Sequence, residues 1–80
     1  MRALTGRERQ LLRLVANGNT NATIGRLLTL HPATVNRHLA NIYAKLGARD
    51  RANAVALALH YGDIGLGDIQ LPNQQREAAA

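Results

Sequence analysis

Four stretches of the chain carry apolar residues at helical spacing, each closed by a polar or glycine stop. Leu11, Leu12, Leu14 and Val15 form the first stripe, and Ile24, Leu27 and Leu28 the second. Val35, Leu39, Ile42 and Leu46 form the third, and Ala54, Val55, Ala58 and Leu59 the fourth. Steps of three and four residues keep one face of a helix turning about 100° per residue. Start and stop signals bracket these stripes. Thr5-Gly6-Arg7-Glu8 reads as a capping box, and Asn17-Gly18 ends the first helix. The second helix is predicted to start near Thr20-Asn21 and stop around Thr29. The third has Pro32 at its first position and Gly47 just past its last. Asp50 caps the fourth, which runs from Arg51 to about Tyr61 and stops at Gly62.

Only Thr29, Leu30 and His31 separate the second helix from the third. Two short helices joined so tightly must cross steeply, which is the helix-turn-helix arrangement. Gly25 precedes the β-branched Val35 by ten positions, and Ile24, Leu28 and Leu30 are placed to fill the angle. A glycine inside a helix costs about 1 kcal/mol relative to alanine. Close approach of another helix is the expected compensation at Gly25.

The third helix turns an unusual face away from its stripe: Ala33, Asn36, Arg37, Ala40, Asn41 and Ala44, with no acid and no large apolar group. A solvated face would normally mix lysine with glutamate. Small residues let a backbone approach another surface, while asparagine can pair with adenine, arginine with guanine, and an alanine methyl with thymine.

Eighty residues make one small domain, and 46% hydrophobic residues without Phe, Trp or Cys require an aliphatic, disulfide-free core. The longest clean apolar run, Ala54 to Leu59, is far too short to span a bilayer, and nothing resembles a signal peptide. A cytoplasmic protein with no membrane partner is expected. The net charge of +5 is uneven: residues 1–62 hold nine Arg or Lys against Glu8 and Asp50, whereas residues 63–80 hold Arg76 against Asp63, Asp68 and Glu77. A basic body of this kind favours a polyanion. Anionic lipid fits less well than nucleic acid, because no basic face is paired with bulky aromatic anchors.

A set of residues in one register carries a family likeness. It opens with Leu4-Thr5-Gly6-Arg7-Glu8-Arg9 and continues through Gly18-Asn19-Thr20-Asn21 and Ile24 at the entry to the second helix. Thr34-Val35, His38, Ile42, Lys45-Leu46-Gly47, Arg51 and Ala54-Val55 complete it. Over roughly residues 4–61 the chain resembles the DNA-binding domain of LuxR-type (GerE-like) bacterial transcription regulators. The resemblance implies an all-α, four-helix helix-turn-helix domain, placed over residues 1–62, and the Gly- and Ala-rich composition of 63–80 reads as a short irregular, flexible tail. It implies double-stranded DNA as partner, with the helix at about 32–46 in the major groove. Base reading falls on Asn36, Arg37 and Ala40. Phosphate contacts fall near Thr34, Asn41 and Lys45 and the amides around Thr20 and Asn21. It also implies a homodimer through the fourth helix, and RNA polymerase is a candidate further partner.

The chain departs from the family pattern at four places. Thr23 stands where Glu is usual, Gly25 where Ala is usual, and His31 where Ser usually caps the recognition helix. Ala40 stands where several members carry Lys or Arg, which places specificity on Asn36 and Arg37. The family's regulators often carry a receiver or ligand-binding domain ahead of this one. The Met1 start favours a stand-alone regulator over an excised fragment.

Several residues have a plainer reading beside the functional one. Thr20 and Asn21 suit a phosphate at a helix N-terminus but also a simple cap. Arg7, Arg9 and Arg13 read as solvated rather than DNA-bound. Arg49 and Arg51 could track the backbone, or Arg51 could pair with Glu8. His31 could reach a phosphate if protonated, and His38 reads better as half-buried, bonded to a carbonyl or packed on the first helix. Ala56, Leu57, Leu59 and His60 spread around the fourth helix and suit a partner subunit, unless the tail folds back over them. Ile64, Leu66, Ile69 and Leu71 are expected to dock loosely, with disorder or a frayed turn beyond Pro72.

Catalysis has little to draw on. There is no Ser or Cys nucleophile, no Gly-rich phosphate loop, and no cofactor motif. Glu8 and Asp50 are explained by caps, and His31 and His38 are not at metal-pair spacing. A non-enzymatic protein is expected. The alternative to DNA binding is an interaction module that modulates another regulator through the C-terminal helix.

Overall fold

The computed structural model describes residues 3–72. Four α-helices come in order, α1 Gly6–Ala16, α2 Asn21–Leu28, α3 Pro32–Leu46 and α4 Arg51–Tyr61, then a 3₁₀ turn over Leu66–Asp68. Each helix is bounded by the start and stop signals of its own sequence. The capping box is complete: Thr5 Oγ1 accepts from the Glu8 amide at 3.1 Å, and Glu8 Oε1 accepts from the Thr5 amide at 2.9 Å. Thr20 Oγ1 accepts from the Thr23 amide, and Asp50 Oδ1 from the Asn53 amide at 2.8 Å. His31 caps α3 with its ring, Nδ1 accepting from the Ala33 amide at 3.0 Å.

The core is aliphatic throughout. Val35, Leu39, Ile42 and Leu46 are all buried, and they meet Leu4, Leu11, Leu12, Val15, Ile24, Ala54 and Ala58. Leu14, Leu28, Leu30, Val55, Leu57 and Leu59 are half-buried and pack around this centre. Leu27 departs from expectation, at 59% exposed. Ile24, Gly25 and Leu28 define the flank of α2 that meets its neighbours, and Leu27 lies roughly 110° from the middle of that flank. A two-turn helix packed on one side leaves such a residue in solvent.

The turn between α2 and α3 explains Gly25. Thr29 takes the left-handed conformation at φ 58°, which reverses the chain. The Leu30 amide then donates to the Gly25 carbonyl at 2.7 Å. A Cβ on Gly25 would stand 2.5 Å from the Leu30 carbonyl oxygen. The close neighbour is therefore the turn's own carbonyl, not another helix, because so short a connection folds directly back over the last turn of α2.

After Gly62 the chain reverses again, and the Asp63 and Ile64 amides both donate to the Ala58 carbonyl. That reversal drives Ile64 into the core at 3% exposure, rather than into a loose contact. Leu66 and Leu71 are exposed and Ile69 is half-buried. Asn17, at the end of α1, holds this segment: its Nδ2 donates to the Asp68 carbonyl at 2.9 Å, and its Oδ1 accepts from the Gln70 amide at 2.7 Å. The expectations made for the chain beyond Pro72 lie outside the described residues.

Candidate nucleic-acid interface

The outer face of α3 is open along its whole length. Ala33, Asn36, Arg37, Ala40, Asn41 and Ala44 are all exposed, because the opposite stripe is fully used by the core. The three alanines leave the backbone accessible, and the Arg37 side chain makes no hydrogen bond among the described residues.

Asn36 is not isolated. Its Oδ1 accepts from Asn21 Nδ2 across the angle between α2 and α3. Asn21 Oδ1 in turn accepts from Arg51 Nη1 at 2.7 Å, and Arg51 Nη2 donates to the Asn19 carbonyl at 2.5 Å. Asn19 is itself held by α1, its Nδ2 donating to the Leu14 carbonyl at 2.8 Å. The end of α1 and the starts of α2 and α4 are thus tied to one side chain on the exposed face of α3. Nothing in local spacing announces this set, since its members lie 15 and 30 residues apart.

Arg51 therefore does not pair with Glu8. The carboxylate instead accepts from Lys45 Nζ at 2.8 Å, as well as from the Thr5 amide. Glu8 is buried at 6% exposure. Burial alone raises its pKa, but the Lys45 and Thr5 hydrogen bonds and the Lys45 charge outweigh that and hold it below the ordinary 4.5. Lys45, expected toward a phosphate, is half-buried and already taken by this acid. The pairing is geometric: Lys45 sits in the last turn of α3, beside the first turn of α1.

The other expected phosphate contacts are distributed. Thr20, Asn41 and Arg49 are exposed, and Thr34 and Asn21 are half-buried. The Asn21 side chain is engaged by Asn36 and Arg51, and the Arg49 amide donates to Asn53 Oδ1 at 3.0 Å. Arg9 is half-buried and donates to the Leu4 carbonyl at 2.9 Å, so it is a structural arginine. His38 is half-buried, and among the described residues its ring makes no hydrogen bond to a carbonyl.

On α4, Ala56 and His60 are exposed, whereas Leu57 and Leu59 are half-buried against the protein's own core. His60 and Tyr61 meet edge to face at 5.2 Å between ring centres. Among the described residues no group of His, Asp and Glu could hold a metal ion, and no helix is long and apolar enough to cross a membrane.

Comparison with known proteins shows the family. Residues 2–58 match the family described as bacterial regulatory proteins, luxR family (GerE). The chain is 49% identical over 57 residues to SgaR of Hyphomicrobium methylovorum, named a probable transcriptional regulatory protein, covering 71% of this chain and 27% of that one. It is 43% identical over 56 residues to NarL of Mycobacterium tuberculosis, named likewise, covering 70% and 26%. To YhcZ of Bacillus subtilis, an uncharacterized transcriptional regulatory protein, it is 40% identical over 58 residues, covering 72% and 27%. The chain thus spans about a quarter of the length of these relatives. No solved structure gives a significant match.

Proposed function

The chain belongs to the luxR family of bacterial regulatory proteins, and from that premise we propose that it binds double-stranded DNA sequence-specifically as a transcription regulator in the cytoplasm. The observation that carries the reading is the acid-free outer face of α3, all six of whose positions are exposed. Fifteen residues of helix are about 22 Å long, and the major groove admits such an element when its outer side chains are small. Asn36 and Arg37 then meet base edges, and Ala40 packs on a thymine methyl.

Phosphate contacts are assigned to Asn41 on this face and to Thr20, Asn21, Thr34 and Arg49. Arg49 contributes a full charge, whereas Lys45 is largely neutralised by Glu8. The basic surplus of residues 1–62 supplies the longer-range attraction and a salt-dependent affinity. Ala56 and His60, with the outer edges of Leu57 and Leu59, form the α4 surface on which a second copy is placed, so that two α3 helices reach half-sites about 34 Å apart. RNA polymerase is the further partner such a bound dimer would address.

Selecting bound duplexes from a random pool at near-physiological salt tests the proposal. Enrichment of a two-fold-symmetric motif is the expected result. Indifference to duplex sequence would overturn it.

A further inference from the structure

We propose that Arg51, half-buried at the start of α4, sets which base edge Asn36 reads, acting through Asn21. This rests on the reading of α3 as the DNA-facing helix. A guanidinium only donates, so the Asn21 atom at 2.7 Å from Arg51 Nη1 must be its oxygen. The Asn21 amide nitrogen is then the atom left to face Asn36, and it too only donates. Asn36 must answer with its oxygen. Two amide orientations, normally ambiguous between oxygen and nitrogen, are therefore fixed by one arginine. The second arm of that arginine is anchored on the Asn19 carbonyl at 2.5 Å, and Arg51 is itself half-buried.

The consequence lies at the free end of Asn36. An unconstrained asparagine pairs with adenine by accepting from N6 and donating to N7. Here one lone pair of the oxygen is taken by Asn21, which fixes the amide's direction, and the end left wholly free is the amide nitrogen with its two N–H groups. Such an end suits edges that only accept, namely guanine N7 and O6 or thymine O4, and it disfavours cytosine, whose major-groove group is a donor. Arg51 is thus a positioning residue for specificity, distinct from a phosphate contact.

Two variants separate these roles. In Arg51→Met the Asn21 amide is released, Asn36 regains both orientations, and its preference moves toward adenine. In Asn21→Asp the carboxylate keeps Arg51 but cannot donate, so Asn36 turns its nitrogen inward and offers its oxygen outward. Preference then inverts toward edges that donate, cytosine N4 and adenine N6. A change of roughly tenfold in relative base frequency is expected, the scale of one direct base contact. The assay is duplex selection with wild type and both variants, with Asn36→Ala marking the base pair that Asn36 reads. In parallel, the side-chain amide resonances of Asn36 are followed by NMR in the DNA-free protein. They are expected to shift in both variants. Asn21→Asp keeps the Arg51 anchor and supplies the answer if Arg51→Met does not fold.

A uniform loss of affinity with unchanged preference at the Asn36 base pair would overturn the proposal, as would a wild-type preference there for adenine or cytosine. Absence of any enriched motif with wild type would overturn the DNA reading and the proposal with it. Asn36 amide resonances that do not move in either variant would show that the relay itself is absent.

Discussion

Replacing Lys45 by methionine keeps the aliphatic stem of the side chain and removes the ammonium that meets Glu8 at 2.8 Å. Glu8 is left 6% exposed, with the Thr5 amide as its remaining donor within the capping box. Breaking one partner out of a fully buried ion pair costs about 3–5 kcal/mol. The side chain of Lys45 is 33% exposed, so water can reach the vacated place and the loss belongs lower. Removing a charged hydrogen-bond partner from a group that is partly rehydrated costs about 1–3 kcal/mol. In a domain of this size each kcal/mol lowers the melting temperature by about 4–8 °C. Thermal and urea melts of wild type, Lys45→Met, Glu8→Gln and the double variant measure the coupling, with the double variant expected to recover part of the loss.

The pH dependence carries a sign. In wild type the folded pKa of Glu8 lies below its ordinary 4.5. The associated stability is therefore present above 4.5 and disappears as pH falls through the lower, folded value. Without Lys45 its hydrogen bond and charge no longer offset burial, so the folded pKa rises above the wild-type value and the variant's loss is felt at neutral pH and fades in acid. The gap between the two melting temperatures should close below about pH 4.5. An unchanged melting temperature, together with a DNA-binding salt slope lowered by about one unit, would refute this reasoning and return Lys45 to the phosphate backbone.

Three further outcomes are expected. Arg37→Ala should cost about 1–3 kcal/mol of specific affinity and relax preference at one guanine, read by competition binding against single-base variants of the selected site. Asn17→Ala removes both hydrogen bonds that hold Asp68 and Gln70; a loss of about 1–2 kcal/mol and faster hydrogen exchange at the Gln70 amide should result, with α3 unaffected. Thr29 is exposed and left-handed at φ 58°, an unfavourable conformation for a β-branched residue, so Thr29→Gly should stabilise the protein by up to about 1 kcal/mol in urea unfolding.

Four helices, their caps and stops, and the open face of α3 could be read directly from the order of residues. Those features depend on neighbours within a turn or two: Thr5 with Glu8, Asp50 with Asn53, or the Val35, Leu39, Ile42 and Leu46 stripe. Hydrogen bonding and burial at that range repeat with the helical period, so the pattern and the contact are nearly the same thing. The helix-turn-helix was legible for the same reason, since three residues leave two helices few ways to meet.

Tertiary packing alone decided which charges met. Arg51 was the cation expected at Glu8, and only the crossing of α1 over the end of α3 gave that acid Lys45 and left Arg51 for Asn19 and Asn21. The burial of Ile64 also depends on where the chain reversal after Gly62 places it. Linear spacing is silent on such matters. A polar side chain reaches whatever the fold brings within about 3 Å, and helix periodicity does not encode that distance across separate elements.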